Sequence, residues 1–295
     1  MSVRRTVAAA LVASLGLAAC DASGPPFAPG LAVEGIVETG DAAPVVVLRQ
    51  ARAPGDPGDD AADGAAATFS VDGLPVALVG LGQGRYRAVL PAPLAAGQQI
   101  ALSARWDGAP AVSAVTRVVA PMRLDSVRVR RTSLPVRAAL IDAFGLDPAL
   151  VAELVTREGF VYPVTVTAYW QAPPGAPPSE TGDDAPWVRI ALRPSATAAV
   201  RFFFPPEAVE AEARTTATPG GGRQTRLTYV VEAASATAPL TAHRLRVAVV
   251  RGGAAYARFI ETRGAPERRE PVSNVTGGRG LFAAVSTDSV RVTVE

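Results

Sequence analysis

The chain has no lysine, one cysteine, Cys20, and one histidine, His243, among its 295 residues. A single cysteine excludes a disulfide framework and a thiolate zinc site, and a single histidine excludes a multi-histidine metal centre, because each needs several such ligands. No metal is expected in the folded core, and no cofactor is assigned. Aromatic residues are scarce at 6%, and charged residues make up 19% against 48% hydrophobic, the balance of a folded chain. Glycine and proline, 27 and 26 in number, stay below the roughly 25–30% combined share of low-complexity chains. Arginine supplies all 29 basic positions against 27 acids. Arg4 and Arg5 precede any acid, so the chain beyond residue 19 carries no net charge, and nucleic-acid binding has no electrostatic basis.

Residues 1–19 have the layout of a secretory signal peptide: Arg4 and Arg5, an apolar run from Val7 to Ala18, then small residues. The run is shorter than the roughly 20 residues needed to span a bilayer. Cys20 follows Leu17-Ala18-Ala19 directly, which resembles the lipobox of bacterial lipoproteins. The resemblance implies cleavage before Cys20, diacylglycerylation of its thiol and acylation of the new amino terminus. More than one acyl chain gives stable membrane attachment where a single chain is marginal. Residues 20–30, with adjacent prolines and two glycines, read as the lipidated tether. Periplasmic and outer faces both stay open.

From 31 to 120 the chain alternates β-prone runs with turn residues. Leu31–Val37, Val45–Gln50, Thr68–Val71, Val76–Leu81, Tyr86–Leu90, Gln99–Trp106 and Val112–Val119 are the expected strands, and their number and spacing predict an immunoglobulin-like β-sandwich. Gly82-Gln83-Gly84 and Asp107-Gly108 are the expected tight turns. The loop from Ala51 to Ala67 gathers Asp56, Asp59, Asp60 and Asp63. Calcium favours clustered carboxylates, but the spacing is not that of an EF-hand, and a solvated loop is expected.

Pro121 opens a second unit, 121–295, predicted as a β-rich domain with two or three short helices, so that the whole chain is mainly β. Asp147 as cap, Pro148 at the first helical position and Gly159 as stop frame a helix over 147–158. Pro135–Phe144 and Ala254–Arg263 are further helix candidates. Leu124–Arg131, Val161–Trp170, Trp187–Leu192, Ala198–Phe204, Arg226–Ala234, Arg244–Arg251, Leu281–Ser286 and Val290–Val294 read as strands, with loops at 172–186 and 215–223.

Leu31 to Val37 shortly after the lipobox, then Gly84-Arg85-Tyr86-Arg87-Ala88, then Leu124-Asp125-Ser126-Val127, resemble the Bacteroidota-type lipoproteins of domain-of-unknown-function family 4249. The closing stretch is the most specific: Tyr256-Ala257-Arg258-Phe259, then Glu270 to Phe282 (EPVSNVTGGRGLF), is similar to the family's ending. The segment 132–225 carries little of the resemblance, and Ala283-Ala284 and the helix over 147–158 depart from it. The resemblance implies a cell-envelope lipoprotein, often encoded beside outer-membrane transporters, with no established activity, and the expected location is the outer membrane, held by the lipid anchor.

No Gly-x-Ser-x-Gly elbow occurs, and His243 opens a strand, where a surface position or a hydrogen-bonded role is expected rather than a triad; no catalytic residue is assigned. Glu180, Asp183 and Asp184 beside Trp187 supply carboxylates for glycoside hydrolysis, but in a Pro- and Gly-rich loop. Tyr169, Trp170 and Trp187 are the candidate ligand-stacking residues. Asn274-Val275-Thr276 matches a glycosylation sequon and reads as turn chemistry. The expected function is a non-catalytic envelope lipoprotein, held to the membrane by its anchor. It binds a glycan or peptide ligand or serves an outer-membrane TonB-dependent transporter. The alternative is a secreted carboxylate-dependent, glycosidase-like hydrolase.

Overall fold

The computed structural model describes residues 30–52, 58–140, 152, 158–171, 187–195, 200–206, 214–219, 221–263 and 272–295. The signal peptide, Cys20, the tether up to Pro29, and all of the 147–158 helix except Ala152 and Glu158 lie outside them. Mainly β structure results, with two hydrophobic cores.

The first core lies between two layers. On one side are β1 (Gly30–Glu38), β2 (Val45–Ala51), β6 (Arg85–Ala88) and β5 (Leu78–Gly82), adjacent in that order. On the other side β4 (Leu74–Val76), β3 (Ala66–Val71), β7 (Gln99–Arg105) and β8 (Val112–Arg117) form a four-stranded sheet in that order. Strict alternation drives this: Leu31, Val33 and Val37 of β1 and Ile100, Leu102 and Ala104 of β7 are buried, while Glu34, Glu38, Ser103 and Arg105 face out. The run Val76–Leu81, expected as one strand, is two strands in different sheets, because the chain crosses from one layer to the other at Ala77. Gly82, Gln83 and Gly84 all have positive φ, as a tight β5–β6 hairpin requires.

The second core is walled on one side by β9 (Arg123–Arg131), β11 (Phe160–Gln171), β15 (Arg223–Ala233) and β13 (Phe202–Phe204), with β10 (Val136–Arg137) on β11 and β14 (Arg214–Ala217) on β15. β12 (Trp187–Ser195), β16 (His243–Gly252) and the last strand, β17 (Arg279–Val294), face it. Two expectations change here. Of the helix expected at Pro135–Phe144, the described part up to residue 140 is instead β10 and a short 3₁₀ turn over 138–140, since Val136 and Arg137 pair with Val161 and Phe160, and 141–144 lie outside the described residues. Part of the expected loop 215–223 is β14, paired with β15 from Arg214↔Arg226 to Ala217↔Arg223. The helix expected near residue 254 is present as α1 (Ala254–Thr262), lying against β17.

β17 joins the two cores. Its first half runs parallel to β1, from Ala32↔Arg279 to Glu38↔Val285. Its second half runs antiparallel to β16, from Gly252↔Val285 to His243↔Val294. One seven-stranded sheet thus crosses the boundary expected at Ala120. The core does change near that point, since Val118 belongs to the first cluster and Met122 to the second. Residues 275–284 depart from the partition, with Val275, Phe282 and Ala284 in the first core. Phe282 is fully buried edge-on to Phe69, with ring centroids 6.2 Å apart.

The polar residues that read as a break between Ser286 and Val290 continue the strand, because their side chains hold its neighbours. Ser286 Oγ accepts from Met122 N at 2.9 Å, Asp288 Oδ2 from Leu124 N at 2.8 Å, and Ser289 Oγ from Arg246 Nε at 3.0 Å. Asn274 acts as a short extra strand, its amide accepting from Phe282 N at 2.9 Å and donating to Phe282 O at 2.7 Å. Gly280 has φ +109°, and a Cβ there would stand 2.0 Å from Val33 O, so only glycine lets β17 approach β1 this closely.

Candidate functional site

β9, β11 and β15 present one face to the second core and the other outward. Inward, Tyr162, Val164, Val166, Ala168 and Trp170 of β11 are buried. Outward, the registers set side chains in rows across three strands: Arg130, Thr165 and Thr228; then Arg128, Thr167 and Arg226; then Ser126, Tyr169 and Gln224. These rows floor a cleft of about 350 Å³, whose described lining includes Arg128, Arg130, Arg131, Thr167, Tyr169 and Arg226. Thr165, Gln224, Thr132 and Pro163 complete that lining.

Residues two apart on a strand stand roughly 7 Å apart, and residues two strands over roughly 10 Å apart. Arg128 and Arg130 are thus neighbours along the cleft, with Arg226 across from Arg128. All three are exposed and make no ion pair or hydrogen bond among the described residues. Arg131 is engaged, donating through Nε to the main-chain oxygen of Glu295 at 2.5 Å and through Nη1 to Thr132 O at 3.1 Å. Thr165 Oγ1 and Thr228 Oγ1 share a hydrogen bond of 2.9 Å, and Gln224 Nε2 donates to Thr216 Oγ1 at 3.1 Å, leaving the Gln224 amide oxygen to accept. Like charges close together on a sheet repel, so the arrangement favours an anion placed between them.

Of the three candidate stacking residues, Tyr169 and Trp170 do not share a platform. Tyr169 is half-buried in the cleft wall. Trp170, next in the chain, points the opposite way into the core at 3% exposure, donating Nε1 to Thr225 Oγ1 at 3.0 Å. Alternation along a strand requires this. Trp187 begins β12, paired with Gly252 in the other sheet. Glu180, Asp183 and Asp184 lie outside the described residues.

His243 is buried at 2% exposure in the second core. Its Nδ1 faces the Thr241 carbonyl at 2.9 Å, which can only accept, so Nδ1 carries the proton. Nε2 therefore accepts from the Tyr229 hydroxyl at 2.6 Å. Phe202 packs edge-on against both rings, and burial pushes the Tyr229 hydroxyl above the ordinary tyrosine range. Both ring nitrogens are engaged, and the pair is a core fixture.

The described aspartates of the loop after β2 hold main chain and arginine. Asp63 accepts from Gly84 N at 2.7 Å and Gln83 N at 3.2 Å, Asp59 accepts from Ala61 N at 2.9 Å, and Asp60 pairs with Arg49 at 2.7 Å. Among the described residues no three His, Cys, Asp or Glu side chains converge as metal ligands; Asp56 lies outside them.

The arginine cleft was not singled out from the sequence. Its signal is the alternation Val127-Arg128-Val129-Arg130 followed by Thr165-Val166-Thr167, which puts valines on the core face and arginines and threonines on the other.

No protein-family model and no curated protein matches the chain. Among solved structures it is similar to a crystal structure of chicken TCR at 8% identity, covering 89% of this chain and 98% of that one with a TM-score of 0.27. It is also similar to the Yersinia pseudotuberculosis adhesin InvE at 13% identity, covering 90% of this chain and 58% of that one with a TM-score of 0.19. At such TM-scores the likeness carries no argument about fold or function.

Proposed function

We propose that the chain is a lipid-anchored protein of the bacterial outer membrane that binds a ligand without transforming it. In this reading the first unit is an immunoglobulin-like sandwich that carries the second unit away from the membrane. Strand order supports the sandwich: β1-β2-β6-β5 against β4-β3-β7-β8 corresponds to the ABED and C′CFG sheets of that class. The lipobox-like segment ending at Cys20 and the resemblance to family 4249 support the anchor and an outer-membrane transporter as partner.

The observation that carries the binding role is the cleft on the outer face of β9, β11 and β15. Guanidinium, hydroxyl and amide groups converge there on mutually paired strands, and groups held on regular elements keep their geometry better than groups on loops.

Two measurements test the reading. Cys20→Ser should move the protein from the membrane fraction to a soluble or unprocessed form; unchanged, detergent-dependent partitioning would refute the anchor. Affinity purification from native membranes, with an unrelated lipidated protein as control, should enrich an outer-membrane transporter. Turnover of a glycan or peptide by the purified protein, with no transporter enriched, would replace this reading with the hydrolase.

A further inference from the structure

We infer that the cleft over β9, β11 and β15 binds an acidic saccharide, a short sugar segment carrying two or more sulfate or carboxylate groups. This deepens the binding reading above and rests on it, though not on the lipid anchor.

Charge comes first. Arg128, Arg130 and Arg226 point into one cleft with no partner among the described residues, on a chain with no net charge beyond residue 19. The charge is local, so attraction is confined to this face and does not extend to polyanions at large. Guanidinium groups recognise planar or tetrahedral oxyanions through paired N–H donors.

Spacing comes next. Strand geometry separates the three positions by roughly 7 and 10 Å, and drawing all three guanidinium groups onto one small anion would bring like charges together. A ligand with separate anionic groups, as substituents on neighbouring sugar rings supply, engages each arginine where it stands.

The rest of the lining favours a sugar between the anions. Tyr169 offers a half-buried ring at the wall, the Gln224 amide oxygen accepts from a hydroxyl, and Thr167 both donates and accepts. An aromatic face beside a few directional polar groups suits a pyranose, with apolar C–H on one side and hydroxyls at its rim. At about 350 Å³ the cleft sits near the lower end of the roughly 300–1,000 Å³ of small-ligand sites, a fit for a disaccharide and too small for a folded partner.

Calorimetry on the full mature chain tests the inference with five probes: a sulfated disaccharide, a non-sulfated uronate disaccharide, neutral cellobiose, inorganic sulfate, and vesicles containing phosphatidylglycerol. The two acidic sugars separate sulfate from carboxylate as the recognised group, and at least one should bind about tenfold or more tighter than cellobiose and than inorganic sulfate. Arg128→Gln with Arg226→Gln should weaken that binding about tenfold or more, the loss expected for charge-assisted bonds of about 1.5–3 kcal/mol. Tyr169→Ala should weaken it by a smaller factor, while Arg87→Glu, on the exposed face of β6, should leave it unchanged. An unchanged melting temperature for each variant excludes misfolding, and Arg226→Gln alone provides a milder substitution.

Equal binding of cellobiose, or arginine-independent binding of the acidic sugars, overturns the inference. So does sulfate binding as tightly as the sugars, or arginine-dependent binding of vesicles alone. If no acidic sugar binds but the transporter still co-purifies, this inference fails and the broader reading survives. If an acidic sugar binds and is cleaved, the ligand class stands and the non-catalytic reading fails.

Discussion

The aspartates of the first unit and the cleft arginines of the second are used differently. In the first, aspartates are committed to the main chain: Asp41 accepts from Ala43 N, Asp63 from Gly84 N and Gln83 N, and Asp72 from Gln99 N. The same is true of Tyr86, which donates to Ala62 O at 2.6 Å and accepts from Ala65 N at 2.8 Å, tying the loop after β2 down onto the core. In the second unit, Arg128, Arg130 and Arg226 face a cleft with no such commitments among the described residues. Polar groups that satisfy backbone contribute to folding, whereas a charge without a protein partner contributes little and is available to a ligand. In the proposed reading the first unit is the support and the second carries the ligand face.

The largest effect that would break this division is at Phe282. Although near the end of the chain, it fills the first core, so Phe282→Ala should cost about 3–5 kcal/mol in denaturant unfolding. A cost below about 1 kcal/mol would show that the two cores do not share β17 in the way described, because a core Phe→Ala is far more expensive than that.

Next is the Tyr229–His243 pair. Tyr229→Phe leaves the Nε2 acceptor of His243 buried without a donor, at a cost of about 1–3 kcal/mol. Its pH dependence sharpens the test. Burial raises the Tyr229 pKa, so the folded state resists ionisation that the unfolded chain accepts. This contribution is intact below about pH 10, the unfolded tyrosine value, and is lost as pH rises above it. Tyr229→Phe should flatten the alkaline fall in stability, which no lysine obscures. An alkaline limb as steep in the variant as in the parent would count against the burial assigned to Tyr229.

Smaller is Asp63→Ala, which removes the acceptor for two main-chain N–H groups and should cost about 1 kcal/mol, read as a shift in the denaturant midpoint. Smallest is Arg128→Gln with Arg226→Gln, expected to change stability by less than about 0.5 kcal/mol because exposed groups without partners seldom contribute more. A loss above about 1 kcal/mol would mean that these arginines have structural duties like those of the first unit's aspartates, beyond the small effect of an exposed charge.

Where one face of a strand is buried and the other wet, alternation made the strand readable: β1, β7, β11 and β16 fall where the periodicity puts them. Sequence failed where tertiary partners set the outcome. Val76–Leu81 looks like one run, yet Ala77 is where the chain changes sheets. Ser286 to Ser289 look like a turn because their polarity serves Met122, Leu124 and Arg246, all distant in sequence. Around Pro135 helical spacing lost to pairing with β11. Within the candidate site, Tyr169 was visible as an aromatic, but adjacency in sequence grouped it with Trp170, which the strand turns to the opposite face. Arg128 and Arg226 lie 98 positions apart in the numbering, and only the β9-β11-β15 register makes them neighbours.

The parallel pairing of β1 with the first half of β17 has a mechanical consequence. Tension applied at Gly30 pulls β1 toward its own start, while tension transmitted from the second unit pulls β17 onward past Val285, in the opposite sense. The rungs between Ala32↔Arg279 and Glu38↔Val285 lie across that axis and are loaded together, in shear, so extension cannot peel them apart one at a time. The geometry makes this seven-pair seam a clamp, and under a pulling force its rupture should coincide with loss of the first core, to which Leu31, Val33, Val37 and Phe282 belong.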